Sequence, residues 1–155
     1  MSVLPKHIKN LLLTSALVAM ASLSTAANAA IKVKAENYSQ QNGVQTEPTA
    51  DADGGNNVGY IENGDWVEYA INVPAGGEYT FTVRVASDTN GGRIAVLAND
   101  AEKATVKVKG TGGWQNWVSL ENSLSLDAGE QTLRFNFKGS SGYLFNINWF
   151  ELSAK

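Results

Sequence analysis

The stretch Asp65–Val85, DWVEYAINVPAGGEYTFTVRV, decides the fold. Val67, Tyr69, Ile71 and Val73 recur at every second position. Pro74-Ala75-Gly76-Gly77 then interrupts. Tyr79, Phe81, Val83 and Val85 resume the spacing, with Thr80, Thr82 and Arg84 between them. An apolar period of two is the mark of a strand with one buried face, and a Pro/Gly cluster marks a turn. Working outward, Leu133, Phe135 and Phe137 repeat the pattern in QTLRFNF. Asn90-Gly91-Gly92, Gly110-Thr111-Gly112-Gly113, Asp127-Ala128-Gly129 and Gly139-Ser140-Ser141-Gly142 supply further turns. No segment beyond residue 29 sustains a helical period. Short strands between such turns predict an all-β sandwich or barrel. NGVQTEPTADADGGNN, 42–57, reads as one long polar loop ordered against the sheets. No internal repeat, linker or low-complexity tract is visible.

Residues 1–29 read as a secretory signal peptide. Lys6 and Lys9 form a basic start, LLLTSALVAMASL an apolar middle, and Ala27-Asn28-Ala29 a small-residue cleavage site. The expected mature domain is 30–155, secreted, with no membrane attachment of its own. The leader holds two of the twelve basic residues and none of the fifteen acidic ones, so the mature domain carries a net charge of −5. An acidic domain offers no electrostatic footprint for nucleic acid or anionic lipid. The chain has no Cys, and a domain of this length builds a core without disulfide staples.

Catalytic chemistry is sparsely provided. The only His, His7, lies in the leader, which excludes a His-based triad or metal site in the mature domain. A glycosidase needs two carboxyls at a set separation across a cleft. Glu47, Asp51, Asp53, Glu62, Asp65 and Glu68 are candidates by type, but most fall in turns or on polar strand faces. No nucleotide-binding fingerprint is present.

Aromatic rings and amides are what the chain has to offer a ligand. The flat C–H face of a pyranose stacks on Trp or Tyr, and its hydroxyls need fixed donors and acceptors. Trp66 alternates onto the polar face of its strand, as a ring either covered by a loop or exposed as a platform. Trp114 and Trp117 lie an odd number of residues apart, so a regular strand would send them to opposite faces. Val118 and Leu120 share the parity of Trp114, yet Trp114 directly follows Gly112-Gly113, and periodicity alone does not choose between the two. Asn146 and Asn148 alternate with Phe145, Ile147 and Trp149, forming either an exposed polar face or a ligand shelf.

AENY at 35–38, GVQTE at 43–47, GGNNVGYIENGDWVEY at 54–69, NVPAGGEYT at 72–80, GGWQNW at 112–117 and FNINWFEL at 145–152 together resemble the family 6 carbohydrate-binding modules. The resemblance implies a β-sandwich of jelly-roll type that binds β-linked polysaccharide such as agar-type galactan, xylan or β-glucan, as a monomer and without catalysis. It implies a principal cleft in which Tyr60 and Trp114 sandwich a sugar and Asn146 hydrogen-bonds it. Glu47 matches a ligand-choosing polar position, Tyr143 an additional aromatic, and Trp66 the aromatic of a second cleft on a sheet face. Trp117 becomes a packing residue. The family tends to hold a structural calcium between its first and last strands. Acids often flank the Ala of the first motif there, but here Lys34 stands at one and only Glu36 remains. Asn148 stands where Asp is frequent. The expectation is at most one Ca2+, at Glu36 and Asn148, weakened by those departures. The rival readings are a minimal secreted glycoside hydrolase and a protein-docking adhesion domain.

Overall fold

The computed structural model describes residues 29–155, so the leader lies outside the described residues apart from its last position, Ala29. Eleven strands follow in order: β1 Ile31–Lys34, β2 Gln40–Asn42, β3 Gln45–Pro48, β4 Asn56–Gly59, β5 Trp66–Val73, β6 Gly77–Ser87, β7 Gly92–Ala98, β8 Ala101–Val108, β9 Gly113–Leu126, β10 Gly129–Lys138 and β11 Asn146–Ala154. One sheet runs β3-β4-β11-β6-β9, with β1 also paired to β11. The other runs β2-β5-β10-β7-β8. Every pairing is antiparallel.

The two strands of the deciding stretch do not pair with each other. β5 belongs to one sheet and β6 to the other. Pro74 has no N–H to extend a ladder, so the chain leaves the first sheet there and crosses to the second. β7 and β8 do form a hairpin. Asn99 and Asp100 connect them with φ of 46° and 68°, the left-handed pair that a two-residue turn between twisted strands requires.

All eleven apolar residues of the alternating pattern, from Val67 to Phe137, are buried. Tyr69 and Phe135 from one sheet meet Phe81 and Phe150 from the other, with ring centroids 4.8–6.0 Å apart. The Tyr69 hydroxyl donates to the Ala35 carbonyl at 2.8 Å, so this buried ring leaves no polar atom unpaired.

Two expectations are corrected. The stretch 42–57 is not one loop: β3 and the start of β4 lie within it and pair with each other, and only 49–55 between them is irregular. Trp149 does not share the face of Phe145 and Ile147. The β11–β6 register runs Ile147↔Val85 and then Trp149↔Arg84, which leaves Asn148 as an extra residue. Such a bulge shifts every later side chain by one position. Phe150 and Leu152 therefore enter the core, and half-buried Trp149 takes the Lys32 ammonium over its ring at 4.0 Å. A larger irregularity faces it across β6. Between Val85↔Val118 and Ser87↔Gly113, Trp114–Trp117 stand opposite Ala86 alone. Parity could not assign Trp114 and Trp117 because the strand is not regular there. These two bulges flank the same end of β6.

Candidate functional site

A cleft of about 280 Å³ opens at that end, lined by Glu47, Tyr60, Trp114, Tyr143 and Asn146. These are the five residues expected of the principal cleft. They come from β3, the end of β4, the β9 arch, the loop before β11 and the first residue of β11. Its volume is near the small end of the usual range for ligand pockets, ~300–1,000 Å³.

Each wall is held from behind. Tyr60 has φ 57°, a left-handed conformation uncommon outside glycine. The next residue, Ile61, is fully buried and accepts the Leu144 N–H at 2.9 Å, so the chain must twist at Tyr60 to turn its ring outward. Tyr60 is 39% exposed and Tyr143 is 48% exposed. Their rings meet edge to face, with centroids 5.6 Å apart at 87°. Thr89 Oγ1 donates to the Tyr143 carbonyl at 3.1 Å, and Ser87 Oγ donates to the Leu144 carbonyl at 2.6 Å, tying this loop to β6.

The floor is made by Asn146, only 3% exposed. Its Nδ2 donates to the Trp114 carbonyl at 2.8 Å and to Glu47 Oε1 at 3.1 Å. The first bond pins the β9 arch across the end of β6. Gly59 lies beneath, where a Cβ would come 2.8 Å from Asn146 Oδ1. Both of its N–H groups are spent within the protein, and only Oδ1 is left for a ligand.

Trp117 is half-buried and outside the core cluster. Its Nε1 donates to Gln115 Oε1 at 3.1 Å, so it orients a polar neighbour rather than filling the interior. Gln115 Oε1 also accepts the Ala50 N–H at 2.8 Å, and its Nε2 donates to Asn57 Oδ1 at 3.1 Å. Gln115 and fully buried Asn57 lie inside the quoted motifs, but no periodicity marked them as functional.

Trp66 lies on the outer face of the second sheet, apart from the cleft. The Arg134 guanidinium sits over its ring at 3.9 Å, held by Glu68 Oε1 at 2.8 Å and Asn136 Oδ1 at 2.9 Å. The ring is covered by a side chain rather than by a loop, and this face of it is not a free platform.

Asn148 is fully buried. Its Nδ2 donates to Asp51 Oδ2 at 2.9 Å and Asp53 Oδ1 at 2.8 Å. Arg84 grips Asp51 through Nε and Nη2, both at 2.9 Å. That hydrogen bonding holds the Asp51 carboxyl well below the usual carboxylate range, against the opposing effect of burial. At Asp53 burial pushes upward, but hydrogen bonds from Lys34 and Asn148 and the Lys34 charge outweigh it and lower the pKa. Lys34 Nζ reaches Asp53 Oδ2 at 2.7 Å and the Gly54 carbonyl at 2.9 Å. Loop 49–55 is thus tied down onto the outer face of its sheet.

Two buried side-chain oxygens there have no partner, Glu36 Oε2 and Asn148 Oδ1. Orphaned buried oxygens are costly unless an ion or water satisfies them. They fit an oxygen-seeking cation such as Ca2+, but only Glu36 Oε2 carries charge. Among the described residues no three Asp, Glu or His side chains converge. A site with so few anionic ligands binds weakly.

Residues 34–154 match the family described as carbohydrate binding module (family 6). A β-1,3-glucan-binding family 6 module from Bacillus halodurans superposes with a TM-score of 0.76 at 38% identity, over 80% of this chain and 96% of that one. A family 6 module from Clostridium cellulolyticum, in complex with xylose, superposes with a TM-score of 0.73 at 39% identity, over 79% and 96%. The β-agarase AgaA of Microbulbifer thermotolerans is 37% identical over 97 residues, 59% of this chain and 22% of the enzyme. The chain spans only 18–26% of the length of such curated relatives, so what it resembles is one part of each. Cleft, fold and sequence agree, and the chain belongs to the family 6 carbohydrate-binding modules.

Proposed function

We propose that this chain is a secreted, non-catalytic, monomeric module that holds β-linked polysaccharide in the cleft between Tyr60 and Trp114. The observation that carries this reading is the convergence of three aromatic side chains over an Asn146–Glu47 floor. Rings supply stacking area at little entropic cost, and the floor supplies fixed hydrogen-bonding groups. The similar modules bind β-1,3-glucan in one case and are complexed with xylose in the other, and a further relative is an agarase. β-Glucan, xylan and agar-type galactan are accordingly the ligands to test. A shallow cleft gives modest affinity.

The hydrolase reading gains no support from the carboxylates. Asp51, Asp53 and Glu68 are ion-paired, and Asp65 Oδ2 accepts the Glu62 N–H. Only Glu47 lines the cleft. Secretion rests on the 1–29 leader read from sequence; an exported protein whose mass includes that leader refutes its cleavage, and a protein that is not exported refutes the secretion. The calcium is proposed as structural, with Glu36 and Asn148 holding it.

The deciding experiment is affinity electrophoresis in laminarin, xylan and agarose. Wild type is expected to be retarded in at least one. Trp114→Ala and Tyr60→Ala should each run freely while keeping the wild-type far-UV spectrum, because losing a central aromatic anchor costs about 2 kcal/mol or more. Retardation of both variants equal to wild type refutes the cleft assignment.

A further inference from the structure

The hydrogen-bonding polarity of the cleft floor is fixed by groups that cannot reverse. The Trp117 indole N–H and the Ala50 main-chain N–H can only donate, and both donate to Gln115 Oε1. Gln115 must therefore present Nε2 to Asn57, whose Oδ1 accepts it at 3.1 Å. That leaves Asn57 Nδ2 to donate to Glu47 Oε1 at 3.3 Å. From the other side, the Trp114 carbonyl can only accept, so Asn146 must turn Nδ2 toward it. The same Nδ2 completes a second bond to Glu47 Oε1. Both N–H groups of Asn146 and both of Asn57 are thus engaged within the protein. What the floor leaves for a ligand is Asn146 Oδ1 and Glu47 Oε2, both acceptors, while the donors of the cleft belong to its aromatic walls, Tyr60, Trp114 and Tyr143.

Charge adds a second restriction. Glu47 brings a carboxylate to the floor, and no Lys or Arg lines the cleft. The cations that hold loop 49–55 are committed there, Arg84 to Asp51 and Lys34 to Asp53.

We propose that the cleft selects uncharged glycans through hydroxyl groups that donate to Asn146 Oδ1 and Glu47, and that it rejects sugars carrying sulfate, carboxylate or ether groups at those hydroxyls. This deepens the sugar-binding reading and rests on it. A hydroxyl can donate to an acceptor, whereas a methyl ether cannot. A sulfate or uronate would sit desolvated beside a carboxylate, and like charges so placed are strongly unfavourable.

The test is titration calorimetry on the full domain with neutral laminari-, xylo-, cello- and agaro-oligosaccharides. The best binder is then compared with its O-methylated and its sulfated forms. Both modified forms are expected to bind roughly tenfold or more weakly than the parent, since each leaves a floor acceptor desolvated without a donor. Glu47→Gln, which removes the charge but keeps the shape, should narrow the gap between neutral and sulfated forms by about threefold or more. That ratio reads selectivity even if the variant binds everything more weakly. Should the variant fail to fold, the wild-type comparison of parent with methyl ether still decides. Sulfated or methylated forms that bind as well as the parent overturn the proposal, as does an unchanged ratio in a folded Glu47→Gln. If no neutral glycan binds, the sugar-binding reading itself falls and this inference with it.

Discussion

Asn148→Ala is the substitution on which the structure and a simple reading of the last strand differ most. Alternation makes Asn148 a twin of Asn146. The bulge instead buries it beneath loop 49–55, away from the cleft lining, with Nδ2 donating to Asp51 and Asp53 at 2.9 and 2.8 Å. Hydrogen bonds to charged groups contribute about 1.5–3 kcal/mol each. The two losses do not add fully, because Arg84 still holds Asp51 and Lys34 still holds Asp53. A net loss of about 2–4 kcal/mol follows. For a domain of this size each kcal/mol moves Tm by roughly 3–5 °C, so Tm should fall by about 6–20 °C. The assay is thermal unfolding followed by near-UV circular dichroism, with sugar affinity measured well below the transition. Affinity should stay within about twofold of wild type, because the site lies outside the cleft. A Tm within about 2 °C of wild type, or a loss of sugar affinity without a loss of Tm, would falsify the assignment.

Chelation should lower Tm by a few degrees and millimolar Ca2+ should restore it, since a metal that binds only the folded state stabilises it by mass action. An unchanged melt means that Lys34 and Asn148 have abolished the site. Asp51 and Asp53 both have pKa values lowered from the ordinary 3.8, so their contribution is fully present above that value and is lost as pH falls through the lower folded values. Tm should therefore decline below about pH 4, and Arg84→Met should flatten that decline; an acid limb unaltered by this variant contradicts the pairing. Trp66→Ala should leave sugar affinity unchanged, because Arg134 already occupies its ring. A clear loss of affinity would show the sheet-face cleft to be in use.

Strand class and inward faces were legible in the order of the residues alone. Alternation needs no partner to be read, because successive side chains of any strand point to opposite sides, and Val67 to Phe137 are buried as the pattern requires. Family motifs also carried the five cleft residues, because such motifs record side chains that must meet whatever route the chain takes between them. Tertiary structure alone decided where alternation stops. A bulge is an extra residue relative to a neighbouring strand, and β6, which defines both bulges, is remote in sequence from Asn148 and Trp114–Trp117. The direction of the Asn146 amide was equally out of reach. An amide's polarity follows from what its partners can accept or donate, and here those partners are Glu47 and the Trp114 carbonyl, brought beside it only when the sandwich closes.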